Sequence, residues 1–200
     1  AVWIEDLYVY PDPGTGIVHV KANLRNTLED AVNVDFQTAI GPARDGITIG
    51  RVCLEKELLP GDTLLETELK VDNPHLWELD DPFLYGVTCR VQSENAKMFD
   101  ERSRQCGFRD FRLENGYFRL NGKRIFIRSA HTGNESPVTI YFPYDKDYFR
   151  RDILNLKAMG LNAIRFIAGV ARPYQLDMCD EIGMLVYEEC MAGWYLVDSP

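Results

Sequence analysis

Basic residues and histidine are scarce in this chain. Its 200 residues hold 22 Lys and Arg against 31 Asp and Glu, with three His, for a formal net charge of −9. Binding to a nucleic-acid backbone and attraction to an anionic membrane surface both need clustered cations, so neither partner is expected. Long apolar runs are missing as well. Nothing approaches the roughly 20 residues of a spanning helix, and the opening AVWIEDLYVY lacks the basic and apolar regions of a signal peptide. Cys53, Cys89, Cys106, Cys179 and Cys190 are odd in number and without metal-ligand spacing. They predict scattered buried thiols in place of a disulfide framework or a metal site. No glycine-rich phosphate loop follows a candidate strand. PGTG lacks the third glycine and feeds a strand, which predicts a hairpin turn, and no cofactor is implied. The compartment stays open between cytoplasm and periplasm.

What the chain does have is apolar content, 46% hydrophobic and 12% aromatic, enough for a sizeable core in one domain or two. The first hundred residues alternate with period two. In IVHVKANLR, Val18, Val20, Ala22 and Leu24 point one way and His19, Lys21, Asn23 and Arg25 the other, the mark of a half-buried strand. Val32, Val34 and Phe36 oppose Asn33, Asp35 and Gln37, and Leu65, Thr67, Leu69 and Val71 oppose Glu66, Glu68 and Lys70. Between the strands, PDPGTG, TLED, ARDG and LPGD supply turn residues. About seven such strands predict a two-sheet antiparallel sandwich of the immunoglobulin type over residues 1–107.

From residue 108 the period changes. An apolar strand at Ile125–Ile127 runs into a polar loop holding Ser129, His131, Thr132 and Asn134. In YDKDYFRRDILNLKAMG, Phe149, Ile153 and Leu156 recur at helical spacing, with Asp145 as N-cap and Gly160 as C-cap. LNAIRFI then reads as a strand, RPYQLDMCDEIG as a helix with Pro173 in its first turn and Gly183 at its end, and MLVYEE as a further strand. The repeated order of helix, glycine, apolar residue and strand predicts consecutive βα units on a parallel sheet, the beginning of a (β/α) barrel over residues 108–200. Three units leave a barrel open, and the chain begins at Ala1 without a Met, so it is expected to be an internal piece of a longer protein.

NPHLWELDDPFLYGVTCRV, Asn73 to Val91, resembles the Trp, Pro and Leu-Tyr stretch in the immunoglobulin-like domain of glycoside hydrolase family two. CGFRDFRLENGYFRLNGKRIFIRSA resembles the junction that enters that family's catalytic TIM barrel. The resemblance implies a retaining glycosidase of the β-galactosidase, β-glucuronidase and β-mannosidase group, with a carbohydrate substrate. It also implies a sugar-binding domain before Ala1 and further barrel strands after Pro200. Its general acid/base would follow the fourth barrel strand and its nucleophile the seventh, so no catalytic residue is expected among these 200, and the segment alone is expected to be inactive. The alternative is a non-enzymatic sandwich used for carbohydrate binding or adhesion.

Five residues are candidates for substrate contact. If Ile164 and Phe166 face the helices, Arg165 faces the barrel axis, where its guanidinium needs a carboxylate or a sugar hydroxyl. It is similar to the family's arginine after the second strand, and an ion pair with Glu188 or Glu189 would brace the floor of the site. Those adjacent glutamates point to opposite faces of a strand and so cannot serve as a catalytic dyad. His131 and Asn134 are similar in position to loop residues of the family's sugar subsite, Glu189 stands at the end of the third strand, and Trp194 could stack on a pyranose. SAHTGNES, IAGVARPY and CMAGWYL depart from the loops of the β-galactosidase and β-glucuronidase members. Neither galactose specificity nor a bound metal is therefore implied. The sequon Asn134-Glu135-Ser136 is expected to be a chance occurrence.

Overall fold

The computed structural model describes residues 1–93, 98–132, 145–167 and 169–189. The chain divides into two compact units, Ala1–Trp77 with Phe83–Asp110, and Glu78–Pro82 with Phe111–Pro200.

The first unit holds β1 (Val2–Asp12), β2 (Ile17–Asn26), β3 (Val32–Pro42), β4 (Gly50–Leu58), β5 (Gly61–Lys70), β6 (Tyr85–Ser93) and β7 (Met98–Cys106). One sheet runs β1-β2-β5 and the other β4-β3-β6-β7, every pair antiparallel, the two-sheet sandwich that the alternation predicts. The inward set of the sequence is the observed core: Val18, Val20, Ala22, Leu24, Val34, Phe36, Leu65, Leu69 and Val71 are all buried. Fully burying each large apolar side chain contributes about 1.5–3 kcal/mol, which is why the period-two pattern fixes the strand faces. Tight turns join the strands. Gly16 takes φ +70° after Asp12, whose carboxylate accepts from the Gly14 amide at 2.9 Å, and Gly61 takes φ +103° as the first residue of β5.

The WELDDPFLY stretch owes its character to packing. Trp77, Tyr85 and Phe108 are buried together, with the Tyr85 and Phe108 rings edge to face at 5.3 Å. The Trp77 amide donates to the Phe108 carbonyl at 2.8 Å, and the Arg109 guanidinium lies over the indole. A Cβ on Gly107 would stand 2.8 Å from that of Trp77, so the residue before Phe108 has to be glycine. Of the cysteines expected to be buried, Cys89, Cys106 and Cys179 are, but Cys53 is exposed, because β4 is an edge strand with most of its positions in solvent. Cys190 lies outside the described residues.

The second unit opens with β8 (Phe111–Glu114), β9 (Tyr117–Leu120) and β10 (Lys123–Arg124), an antiparallel meander. Asn115-Gly116 and Asn121-Gly122 close it with positive φ at both turn residues, the primed turns that match strand twist. Then follow β11 (Ser129–Thr132), α1 (Lys146–Ala158), β12 (Ala163–Phe166), α2 (Pro173–Ile182) and β13 (Leu185–Glu188). The last three strands pair in parallel in the order β11-β12-β13, as consecutive βα units require. Asp145 caps α1 by accepting from the Asp147 amide at 2.9 Å. The C-cap of α1 is Met159, one residue before the expected Gly160, which follows in the left-handed region. Phe149 and Ile153 of α1, Ile164 and Phe166 of β12, and Cys179 and Ile182 of α2 form one buried cluster, so both helices cover the same side of β12. Among the described residues no helix is long and apolar enough to cross a membrane.

The first barrel strand is not Ile125–Ile127 but Ser129–Thr132. Ahead of it, the Asn162 side chain takes the Arg128 amide at 2.8 Å and donates to the Phe126 carbonyl at 3.0 Å. The Asn162 and Ala163 amides both donate to the Arg128 carbonyl. These bonds fix the register so that ladder pairing starts at Ser129, and His131 sits inside the strand where a loop position was expected.

Candidate functional site

The register of the parallel sheet determines which side chains share a level. Across β11, β12 and β13 the rungs are Ser129, Ala163 and Leu185; Ala130, Ile164 and Val186; His131, Arg165 and Tyr187; and Thr132, Phe166 and Glu188. Ile164 and Phe166 pack under the helices, so alternation sends Arg165, and with it His131 and Tyr187, to the opposite face. The outcome is a row of imidazole, guanidinium and phenol across the three strands, one residue short of their C-terminal ends. Loops beyond such ends build the sites of (β/α) barrels.

Arg165 donates through Nε to Glu189 Oε1 at 2.6 Å and through Nη2 to the same oxygen, while its guanidinium lies 5.6 Å from the Tyr187 ring centroid. The carboxylate is the better shielded partner, with side-chain exposures of 46% for Arg165 and 20% for Glu189. The expected ion pair is therefore present, and of the two candidate carboxylates its partner is Glu189. It is half in solvent and not internal, so it contributes little to stability on its own, about 0–1 kcal/mol. Glu188 turns to the helix side, where its Oε1 accepts from the Ala171 amide at 2.7 Å. The two glutamates diverge as adjacent strand positions must, and no dyad forms between them.

Asn134 and Trp194, the other two sequence candidates, lie outside the described residues. Two side chains important to the site escaped the sequence reading. Tyr187 completes the row. Asn162 joins the residues before β11 to the start of β12. Its signal was available, since it is the one polar residue between Gly160 and the apolar strand. A guanidinium held by a carboxylate retains further N–H donors, and beside an imidazole and a phenol it presents hydrogen-bonding groups suited to hydroxyls.

Residues 2–109 match the family model for glycosyl hydrolases family 2, and residues 111–197 match that for the TIM barrel domain of glycosyl hydrolases family 2. A β-galactosidase of Halalkalibacterium halodurans is 25% identical over 194 residues, covering 92% of this chain and 19% of its own length. A Bacteroides uniformis β-glucuronidase structure superposes over 100% of the chain and 25% of its own, with TM-score 0.88 at 23% identity. A Parabacteroides merdae β-glucuronidase superposes over 94% of the chain and 24% of its own, with TM-score 0.80 at 28% identity. The chain thus spans 19–25% of the length of these relatives.

Proposed function

Because the chain belongs to glycosyl hydrolases family 2, we propose that it is an internal part of a retaining β-glycosidase that hydrolyses O-glycosidic bonds of β-linked sugars. Its immunoglobulin-like sandwich extends to Asp110, three residues beyond the expected boundary at 107 because Phe108 is buried in the sandwich core, and the residues from Phe111 are the first part of its catalytic barrel. The observation that carries the reading is the row His131, Arg165 and Tyr187, with Arg165 held by Glu189, at the C-terminal ends of three parallel strands. In this reading Arg165 and Glu189 form the floor of the sugar subsite, His131 and Asn134 reach sugar hydroxyls, and Trp194 stacks on the ring. Retaining hydrolysis needs two carboxyl groups roughly 5–5.5 Å apart on either side of the sugar. The divergence of Glu188 and Glu189 supports placing both catalytic carboxylates outside these residues.

The 200-residue chain is therefore expected to release no nitrophenol from aryl β-galactosides, β-glucuronides or β-mannosides. Release that disappears in Glu189→Gln would overturn the reading. In the full-length enzyme, Arg165→Ala is expected to lower kcat/KM by about 10- to 150-fold, the loss of a charged hydrogen bond of roughly 1.5–3 kcal/mol. The free energy of unfolding should change by no more than about 1 kcal/mol, because the ion pair is half exposed. A variant with unchanged kcat/KM would remove Arg165 from the subsite.

A further inference from the structure

We propose that the outer face of the β1-β2-β5 sheet is a second carbohydrate site, which stacks a neutral pyranose on Tyr8 and Tyr10. The site lies wholly within the sandwich and is independent of the barrel row. Along β1 the alternation turns Leu7 and Val9 to the core and Tyr8 and Tyr10 outward, leaving the tyrosines 57% and 53% exposed. Two large aromatic rings are thus held in solvent, about 6.8 Å apart by strand geometry, on a rigid sheet.

The neighbouring strands give each tyrosine the same company. Tyr8 pairs with Lys21, which pairs with Glu66, and Tyr10 pairs with His19, which pairs with Glu68. Two consecutive rungs therefore read aromatic, base and carboxylate. Lys21 Nζ lies 2.7 Å from Glu66 Oε1, and His19 Nδ1 lies 3.0 Å from Glu68 Oε1. The Tyr10 and His19 rings stack at 6.2 Å with 27° between their planes. These side chains line a shallow recess of about 590 Å³. That lies within the roughly 300–1,000 Å³ of small-molecule sites.

The charge arrangement selects the ligand. Lys21 is already engaged by the Glu66 carboxylate and the His19 ring by Glu68 on the next rung, so the patch offers no uncompensated positive charge to a phosphate or an acidic peptide. A protein partner fits poorly too, because interface cores are depleted of charged residues and here charges adjoin both rings. What remains on offer is aromatic faces bordered by hydrogen-bonding groups. A pyranose matches this with an apolar C–H face and a rim of hydroxyls.

The test is a titration of the ¹⁵N-labelled 200-residue chain with cellobiose and with methyl β-D-galactopyranoside, followed by amide chemical shifts. Saturable changes should cluster at Tyr8, Tyr10, His19, Lys21, Glu66 and Glu68 for at least one probe. Tyr8→Ala and Tyr10→Ala should each weaken binding about tenfold, while Tyr10→Phe keeps most of it. An unchanged spectrum elsewhere verifies that the variants are folded. No change at the six residues with either probe, or equal affinity in the alanine variants, overturns the proposal. A dimer that dissociates in Tyr10→Ala would assign the face to a second copy of the chain and would overturn it as well. No step of this measurement involves hydrolysis, so its result is separate from that of the glycosidase assay.

Discussion

Cys89 lies in the sandwich core against Thr38, whose hydroxyl lies 3.7 Å from its sulfur and accepts from Thr67 at 3.1 Å. Burial pushes the Cys89 thiol up to about 11, from an ordinary value of 9.0, against a smaller opposing effect of the Thr38 hydrogen bond. Burial, aided by the charge of Asp180, pushes Cys179 up to about 12. Below pH 9 the folded and unfolded chains both keep the Cys89 proton. Between about pH 9 and 11 the unfolded chain releases it and the folded chain does not, so the folded state binds more protons and stability falls as pH rises. The loss attributable to Cys89 should be on the order of 2 kcal/mol. Urea unfolding at pH 8.5 and 10.5 should show a larger drop for the native chain than for Cys89→Ala, and equal drops would refute the assignment. At this scale the sequence was only partly informative. Base rates of burial describe Cys89, Cys106 and Cys179 well and misplace Cys53, because thiol burial depends on whether a strand is central or at an edge.

Among the elements, the sandwich strands were legible because each has one wet face, which writes the period-two pattern into the residues. The barrel strands were harder. β11 has four residues, with Ser129 and His131 on its open face, so a search for apolar runs settles on Ile125–Ile127 instead. The two helix-glycine-strand phrases also differ in a detail that their similarity hides. Pairing starts three residues after Gly160, at Ala163, but two after Gly183, at Leu185. Aligning the phrases on their glycines would set Arg165 beside Glu188, whereas the ladder sets it beside Tyr187. The primed turns of the β8-β9-β10 meander carried a sequence signal in ENGY and LNGK, hidden within the stretch that served as a family signature. Since Asn162 fixes the register of β11, Asn162→Ala should cost about 1 kcal/mol for its lost hydrogen bonds. The amides of residues 128–132 should exchange faster with solvent while those of the sandwich are unaffected. Unaltered exchange at 128–132 would show that the ladder alone sets the register.

For the molecule as a whole, the two-unit division makes a prediction about truncation. Phe108 is fully buried and its carbonyl receives the Trp77 amide, so a chain ending at residue 107 loses both, and one ending at Asp110 keeps them. Removing such an aromatic side chain costs about 3–5 kcal/mol, a large share of the roughly 5–15 kcal/mol that holds a domain together. Residues 1–110 should unfold in one cooperative thermal transition, well above the transition of residues 1–107. Equal melting temperatures would mean that Phe108 is not part of the sandwich core. Family membership was readable from NPHLWELDDPFLYGVTCRV and CGFRDFRLENGYFRLNGKRIFIRSA because these stretches contain residues that packing constrains, Trp77, Tyr85, Gly107 and Phe108 among them. The site was less readable, since a row assembled from three separate strands leaves no contiguous word in the chain.

That row has a consequence for how such proteins diversify. His131, Arg165 and Tyr187 stand level because backbone ladder bonds hold their strands in step. Insertions, deletions and exchanges in the loops beyond the strands can accumulate over generations without tilting the floor beneath them. A lineage can then change what its loops contact by rewriting them, while the sheet passes down an unaltered row of side chains.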